Sequence, residues 1–188
     1  AFPGNGVNLG VVHHPVSLTT DGTGGFLFSW RQSNSTGSGT YVQRFDRGGN
    51  AQWSSPTEFT SGTDGYDGHP VQSEEIAAIT HISRNNDSFS LNRVDTTGNP
   101  TWSPAQKPMT SFVSWHDHPT VTRVDGQLVM VWKDDRAPAV TFDLYAQRFD
   151  ANGDPLWNPE GVLVVHDPPA STIAWPQVIA GSEGSVIA

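Results

Sequence analysis

The amino-acid sequence predicts an all-β fold made of repeated, four-stranded antiparallel sheets, and three observations support this prediction. A skeleton of the form Asp-x-x-Gly-(Asn or Asp)-x-x-Trp occurs three times, and a proline landmark recurs with a similar period. The chain of 188 residues is also rich in turn formers, with 19 Gly and 14 Pro. Two markers that share one period indicate internal repeats, each of which folds as one small structural unit.

The two markers keep nearly the same spacing along the chain. The skeleton recurs at intervals of 49 and 55 residues, and the prolines recur at intervals of 55, 49 and 57. The skeleton spans Asp46–Trp53, Asp95–Trp102 and Asp150–Trp157, and the prolines are Pro15, Pro70, Pro119 and Pro176.

Within each period, hydrophobic alternation marks four short strands separated by turn residues. The third copy reads PTVTRV, QLVMVWKD, FDLYAQRFD and PLWNPEGVLVV. The second copy is more polar, and in it His81 takes the position of Trp30 and Trp132. Four antiparallel strands in about 50 residues, with a tryptophan at a fixed place, are typical of a β-propeller blade. We therefore expect a propeller-type array of about three full repeats, with partial repeats at both ends.

The repeated skeleton has a structural explanation. Its Asp and Gly close the hairpin between the third and fourth strands, because glycine adopts a positive φ without strain and aspartate accepts hydrogen bonds from nearby backbone N–H groups. Its Trp is expected to fill the space between neighbouring blades. The residues assigned to these structural roles are Asp46, Gly49, Trp53, Asp95, Gly98, Trp102, Asp150, Gly153 and Trp157.

Three stretches of the chain resemble a known bacterial repeat. DGTGGFLFSW, LYAQRFDANGDPLW and PEGVLVV look like the repeat of secreted and surface-attached bacterial proteins that form β-propellers, and the resemblance covers essentially the whole chain. It implies a propeller fold and an extracellular or cell-surface location. The second copy departs from this pattern, since EEIAAITH replaces the Gly-rich hairpin and its Trp.

The repeats divide a single domain into five parts. We expect residues 1–13 to form the closing strand of a preceding blade, residues 14–68, 69–117 and 118–174 to form three blades, and residues 175–188 to start a further blade. Three arrangements of the ends stay open, namely closure of a small ring, strand sharing between chains, and a piece of a longer propeller. The last two are preferred, because a free strand edge must find a partner.

Composition excludes several classes of partner. The formal net charge is −9, and Lys107 and Lys133 are the only lysines, so a phosphate-tracking surface for nucleic acid is not expected. The chain has no cysteine, which excludes disulfides and thiol-based metal or redox sites. No apolar run is long enough to span a membrane, and the amino end does not resemble a signal peptide, as in a mature secreted protein.

Three histidines suggest a metal site. His14, His69 and His118 each precede a landmark proline, so they are expected at equivalent places where an inner strand begins, around the central channel. Neutral imidazole is a common metal ligand. The competing interpretation is that a polar residue before proline only starts the strand, and Trp175 stands at the fourth such place. A metal ion is the one cofactor that the sequence suggests.

A second group of residues suggests a ligand site at one end of the propeller. These residues lie on connections between blades, and loops carry function more often than core strands do. The predicted ligand-binding residues are Tyr66, His69, Trp115, His116, Asp117 and His118. Trp and Tyr present flat apolar faces to sugars, although the same side chains can simply pack at the end of the channel.

These observations favour an extracellular, non-enzymatic binding or assembly module that recognises a glycan or surface ligand, with no catalytic residue assigned. One alternative is a structural subunit that polymerises head to tail by blade completion between copies of the chain. Another is a propeller-type glycoside hydrolase or lyase, whose acid and base would lie among Asp64, Asp67, Asp117 and the nearby histidines.

Overall fold

The computed structural model describes the greater part of the chain, and the regular structure in this part is β-strand throughout. The described residues are 13–34, 37–62, 65–71, 78–83, 88–103, 106–112, 114, 116–136, 142–166, 176–181 and 184–187. The strands are β1 His13–Thr20, β2 Phe26–Asn34, β3 Gly37–Phe45, β4 Thr57–Gly62, β5 Gly65–Val71, β6 Ala78–Ser83, β7 Ser88–Arg93, β8 Gln106–Pro108, β9 His116–Val124, β10 Gln127–Asp134, β11 Asp143–Phe149, β12 Val162–Val165, β13 Val178–Gly181 and β14 Gly184–Ile187.

The strands form antiparallel sheets in which spatial order follows chain order. β1–β4, β5–β8 and β9–β12 are three four-stranded sheets, and β13 pairs with β14 in a further sheet. The first strands of successive sheets contact one another, β1 with β5, β5 with β9, and β9 with β13. The sheets therefore fan outward from a shared line of inner strands, which confirms the predicted β-propeller architecture.

Strand register aligns the three repeats residue by residue. An equivalent pair joins the second and third strands of each sheet, namely Leu27 with Arg44, Ala78 with Arg93 and Val129 with Arg148. The position three residues further along the second strand holds Trp30 in the first sheet, His81 in the second and Trp132 in the third. The prediction that His81 replaces a tryptophan is therefore confirmed. β5 begins at Gly65 and β9 begins at His116, a few residues before the predicted blade boundaries at 69 and 118.

Each repeated skeleton forms a tight turn between the third and fourth strands. In the third sheet, the Gly153 N–H donates to the Asp150 carbonyl at 3.0 Å, and the N–H groups of Asn152 and Asp154 donate to Asp150 Oδ1 at 2.8 and 2.9 Å. Gly153 has a φ of 77°, which a residue with a side chain rarely adopts. The aspartate thus satisfies the backbone donors that the turn leaves without a partner.

The turn of one sheet packs on the tryptophan of the sheet before it. Trp102 Nε1 donates to the Ala151 carbonyl at 3.1 Å, and a Cβ placed on Gly153 would lie 2.7 Å from the Trp102 ring. The preceding interface is alike, because Trp53 Nε1 donates to the Thr96 carbonyl at 2.9 Å and a Cβ placed on Gly98 would lie 2.6 Å from the Trp53 ring. Glycine is therefore required twice over, by its φ and by the approaching indole.

Buried apolar side chains form clusters between the sheets. The first cluster joins the first two sheets, the second joins the second and third sheets, and the last joins the third sheet to β13. Their members are Leu27, Val42, Trp53, Phe59 and Val94; Leu91, Met109, Leu128, Met130, Trp132 and Phe149; and Val124, Val129, Val131, Leu144, Ala146 and Val178. The described part of the chain holds no helix long and apolar enough to cross a membrane.

Candidate functional site

The two ends of the sheets differ in what they carry. At one end, which we call the turn end, lie the skeleton turns and the Asp125-Gly126 hairpin. At the other, the loop end, β1, β5 and β9 begin, and the second strand of each sheet ends. The loop end also receives the connections between sheets, which makes it the place where residues from different blades can meet.

Ionisable side chains form a row across the third sheet at its loop end. His116 pairs with Asp134, and Asp134 pairs with Asp143 on the next strand. Directly paired residues point to the same face of a sheet, so these three side chains share one face. The Nδ1 of His166 then lies 2.9 Å from Asp143 Oδ1. We call His116, Asp134, Asp143 and His166 the loop-end row.

Asp134 is the centre of this row and is completely buried. Burial alone would raise the pKa of its carboxyl, but the hydrogen bonds from four surrounding side chains hold this pKa far below its ordinary value. The donors are Ser114 Oγ at 2.6 Å, the Arg136 backbone N–H at 2.9 Å, Trp132 Nε1 at 3.0 Å, His116 Nε2 at 3.2 Å and Arg136 Nη2. Asp134 is therefore an anion at every physiological pH.

Arg136 links this carboxylate to three other parts of the chain. Its guanidinium carbon lies 3.8 Å from the centre of the Tyr145 ring and 4.5 Å from that of Phe112. Its Nη1 donates to the Glu160 carbonyl at 2.7 Å.

The lowered pKa of Asp134 also decides what this residue can do chemically. Because a general acid must hold a proton near neutral pH, Asp134 cannot serve as one. The Asp134–Arg136 pair instead fixes the loop end of the third blade.

Of the three four-stranded sheets that the structure describes, the third places two acidic residues at this position. Trp30 Nε1 donates to Gln32 Oε1 at 3.1 Å, so in the first sheet a neutral amide fills the place that Asp134 holds. The pair corresponding to Asp134 and Asp143 is Gln32 and Gly39 in the first sheet, and Ser83 and Ser88 in the second. The acidic site is thus a feature of one blade and not of the repeat.

The predicted ligand-binding residues lie mainly on two neighbouring inner strands. Tyr66 and His69 are on β5, where they pair with Ile82 and Thr80, whereas Asp117 and His118 are on β9 with His116. Trp115 lies outside the described residues. The His116 side chain is buried, with 3% of its surface exposed, and it contacts Asp134 and Trp132. It therefore positions neighbouring groups and does not itself offer a face to a ligand.

Strand register separates the three histidines of the predicted metal site. His14 and His118 each lie where the pairing of β1 or β9 is interrupted, and His118 has a φ of 48°. His69 follows the corresponding interruption in β5 and pairs with Thr80, the place that Thr120 takes on β9. Within the described residues, no group of three or more His, Asp or Glu side chains is arranged to hold a metal ion. The side chains of His14 and His69 lie outside that description, so the metal site stays a prediction.

Two acidic residues remain as candidates for chemistry at the loop end. Asp117 pairs with Lys133 at the start of β9, and Asp67 lies in the interruption of β5 between Tyr66 and His69. β5 and β9 are neighbouring inner strands. The backbone therefore brings Asp67 and Asp117 to the same end of adjacent strands, while Asp64 lies outside the described residues.

A cleft at the turn end is far from these acids. It has a volume of about 400 Å³ and lies between the second and third sheets. Arg93 crosses it, because its Nη1 donates to the Ala151 carbonyl at 2.7 Å. Its lining includes Thr96, Trp102 and Asn152.

The sequence analysis missed the charged residues at the loop end of the third sheet and their partners, namely Ser114, Asp134, Arg136, Asp143 and His166. The charged run WKDDR was the signal in the sequence that could have pointed to them.

Comparison with known proteins identifies the fold. No protein-family model matches the chain, and no curated protein does. An endo-arabinase from Bacteroides thetaiotaomicron superposes with a TM-score of 0.52 and 14% identity, over 90% of this chain and 67% of that chain. An endo-1,4-β-xylanase from the same organism gives 0.53 and 9%, over 89% and 61%. The chain thus spans 61% to 67% of the length of these two structures, and the likeness shows the fold.

The prediction of a non-enzymatic binding or assembly module is wrong. The two solved structures of similar fold are, by name, an endo-arabinase and an endo-1,4-β-xylanase, and they support the hydrolase alternative better than the non-enzymatic prediction. The repeat pattern could not point to an enzyme, because it records how blades stack, whereas a propeller's activity depends on a few residues at one end.

Proposed function

We propose that this chain is the propeller of a glycoside hydrolase that cleaves a plant-type polysaccharide at the loop end. The observation that carries the proposal is the placement of Asp67 and Asp117 at the same end of adjacent inner strands. Arabinan and xylan, both pentose polymers, are the substrates suggested by the names of the two enzymes of similar fold.

Hydrolysis of a glycosidic bond requires two carboxyl groups with different roles. One carboxylic acid protonates the leaving-group oxygen, and the other carboxylate either activates water or attacks the sugar carbon directly. We assign this pair to Asp67 and Asp117, one from each of two blades. A carboxyl separation near 5 Å gives retention of anomeric configuration, and a separation of about 6.5–9.5 Å gives inversion.

The loop-end row supports this chemistry without taking part in it. Asp134 stays ionised and accepts a hydrogen bond from His116, the residue that precedes Asp117 in β9. It therefore fixes the start of this strand next to Asp117. A positioned backbone keeps a catalytic group close to its productive geometry, which is the main requirement for general acid and base catalysis. Asp134 and His116 are therefore positioning residues in this proposal.

We also propose that the protein acts outside the cell. The repeat resembles those of secreted and surface-attached bacterial proteins, and a polysaccharide substrate is too large to be taken up intact. The formal net charge of −9 disfavours nucleic acid as a partner.

The test is hydrolysis of arabinan and xylan by the purified chain, measured as release of reducing ends. Asp67→Asn and Asp117→Asn are each expected to lower kcat at least about 100-fold, because each removes a proton-transfer group or nucleophile. Asp125→Asn is the matched control, since Asp125 is exposed in the hairpin at the opposite end and asparagine tolerates its φ of 51°.

Thermal unfolding of each variant shows whether it is folded before its activity is compared. Release of reducing ends from neither polymer would contradict the substrate assignment. Full activity in both folded variants would remove Asp67 and Asp117 from the mechanism.

A further inference from the structure

The cleft between the second and third sheets is lined mainly by polar side chains around a single indole, and we call it the turn-end cleft. Its volume of about 400 Å³ lies within the range of small-molecule sites, which is roughly 300–1,000 Å³. Six of its eight lining residues carry a nitrogen or oxygen atom on the side chain, namely Arg93, Asp95, Thr96, Thr101, Trp102 and Asn152.

The walls of the turn-end cleft are held in place by hydrogen bonds. One wall is the skeleton turn that begins at Asp95, and the other is the turn that begins at Asp150. In each turn the aspartate Oδ1 accepts the N–H groups two and four residues further on, at 2.8 and 2.9 Å. The Ala151 carbonyl joins the walls, because it accepts Trp102 Nε1 at 3.1 Å and Arg93 Nη1 at 2.7 Å. A site with groups already held in place loses little entropy when a ligand binds.

Arg93 and Trp102 differ from their counterparts in the first sheet. Arg44 binds within its own sheet, where its Nε donates to Asp21 Oδ2 at 2.9 Å. Arg93 instead reaches across to the turn of the third sheet, so its guanidinium forms part of the cleft wall. Trp102 is only partly buried, whereas Trp53 is 5% exposed. The interface between the second and third sheets therefore presents an arginine and an indole that the first interface does not present in this way.

The charges of the cleft disfavour a charged ligand. The pKa of Asp95 lies below its ordinary value because Thr97 and Asn99 donate hydrogen bonds to its carboxylate, so Asp95 is an anion at neutral pH. Arg93, which lines the same cleft, is a cation. An anionic ligand would meet the carboxylate, and a cationic ligand would meet the guanidinium. A neutral ligand avoids both repulsions.

The polarity of the lining narrows the class of neutral ligand. A wholly apolar molecule would remove polar side chains from water without replacing their hydrogen bonds, which is unfavourable. A hydroxyl group both donates and accepts, so it can bind the carboxylate of Asp95 as well as the donors of Arg93 and Asn152. The indole of Trp102 combines an apolar body with a polar edge and so suits the C–H groups of a sugar ring. A saccharide has both features.

We propose that the turn-end cleft binds a short stretch of neutral polysaccharide, at the opposite end of the sheets from Asp67 and Asp117. Thr96, Thr101 and Asn152 are exposed, so the cleft is open to a chain that arrives from solvent. Such a site holds the protein on its polymer while the loop end stays accessible. The choice of pentose polymers as ligands rests on the proposed hydrolase function, whereas the choice of a saccharide rests on the cleft.

The experiment is a titration of the ¹⁵N-labelled chain with arabinotetraose and with xylotetraose, followed by the NMR signals of the indole N–H groups. The Asp117→Asn variant is used so that the ligand is not consumed, and Trp102→Phe identifies the signal of Trp102. With at least one of the two ligands, this signal is expected to shift until it saturates, with a Kd on the order of 1 mM or lower.

Two variants change the cleft at positions where the repeat itself tolerates other residues. Ala151→Arg adds a long side chain at the cleft wall, and the first skeleton turn carries Arg47 at the equivalent position. Asn152→Ala removes an amide where the first turn has Gly48. Ala151→Arg is expected to abolish the Trp102 shift, and Asn152→Ala is expected to weaken binding about 3–10-fold, as loss of one hydrogen bond does.

Arg47→Ala, the reverse exchange in the first skeleton turn, is the matched control and should bind as tightly as the parent. The melting temperature of each variant shows whether it is folded. If Ala151→Arg does not fold, the affinity of Asn152→Ala decides the outcome by itself.

Three results would overturn the proposal. The Trp102 signal could stay unmoved by both tetrasaccharides up to about 10 mM. The affinity could be unchanged in both cleft variants. Arabinose or xylose could bind as tightly as its tetrasaccharide, which would make a single sugar the occupant and not a polymer. Failure of the proposed hydrolase function is distinguishable, because a chain that cleaves neither polymer can still show the saturable Trp102 shift.

Discussion

At the scale of single residues, the third blade depends on a buried anion. Asp134 is fully buried and accepts hydrogen bonds from Ser114, His116, Trp132 and Arg136. A buried ion pair adds little stability relative to a well-packed apolar pair, but removal of one partner leaves the other charge buried and uncompensated. The loop end of this blade should therefore be sensitive to loss of the Asp134 charge.

Asp134→Asn is expected to lower the free energy of unfolding by about 3 kcal/mol at pH 7, since Arg136 would keep its charge in a buried place. The pKa of Asp134 is lowered in the folded state from an ordinary value of 3.8, so its contribution is complete above this value and is lost as the pH falls below it. The difference between wild type and variant, measured by urea unfolding, should therefore be constant above about pH 5 and shrink below about pH 4.

Asp125→Asn, a substitution at an exposed residue, is the control for this series. Its free energy of unfolding should stay within about 0.5 kcal/mol of the wild-type value at each pH. Other acidic groups titrate in the same range, but they do so equally in both proteins and cancel in the difference. A gap that stayed constant down to pH 2 would show that the Asp134 charge is not what stabilises the blade.

At the scale of elements, the skeleton turn is also the contact between sheets. Its aspartate satisfies the turn's own N–H groups, while its glycine and a carbonyl receive the tryptophan of the preceding sheet. One short motif thus determines both the hairpin and the distance between blades. Substitution of the turn glycine should therefore lower the free energy of unfolding by more than its unfavourable backbone conformation alone would.

Gly153→Ala tests this double requirement against Gly126→Ala. Both glycines have a φ of 77°, but a Cβ at Gly153 would lie 2.7 Å from the Trp102 ring, whereas a Cβ at Gly126 would meet only the flexible end of Arg123 at 3.8 Å. The Gly126 variant is expected to lose about 1 kcal/mol for its backbone conformation. The Gly153 variant should lose about 1–3 kcal/mol more from overpacking. Equal losses in urea unfolding would mean that the indole moves aside freely.

The fold was largely predictable from the sequence, whereas the charged site was not. The skeleton and its Trp residues recur along the chain, so the four-stranded repeat and the alignment of His81 follow from spacing alone. Asp134 and Asp143 are nine residues apart on different strands, and their pairing depends on register, which a one-residue shift would abolish. His69 shows the same limit, because its sequence alignment with His118 differs from its place in the strand pairing.

At the scale of the whole molecule, the core is a set of layers between sheets that fan out from the inner strands. Each layer is sealed by the next sheet, so the burial of a residue depends on whether a neighbouring sheet reaches it. Leu91 of the second sheet is fully buried against the third, while Leu163 of β12, the outermost strand of the third sheet, is 49% exposed. The same residue type thus occupies a buried and an exposed environment on strands at different distances from the inner strands.

Leu91→Ala and Leu163→Ala remove the same atoms and should therefore measure this difference directly. Leu91→Ala is expected to lower the free energy of unfolding by about 2–5 kcal/mol, because it leaves a cavity between two sheets. Leu163→Ala should cost under about 1 kcal/mol, because solvent already reaches the side chain. Urea unfolding with a common slope for all variants gives both values. A large loss at Leu163 in this chain would mean that β12 is covered in solution, and the arrangement of the sheets around it would have to be revised.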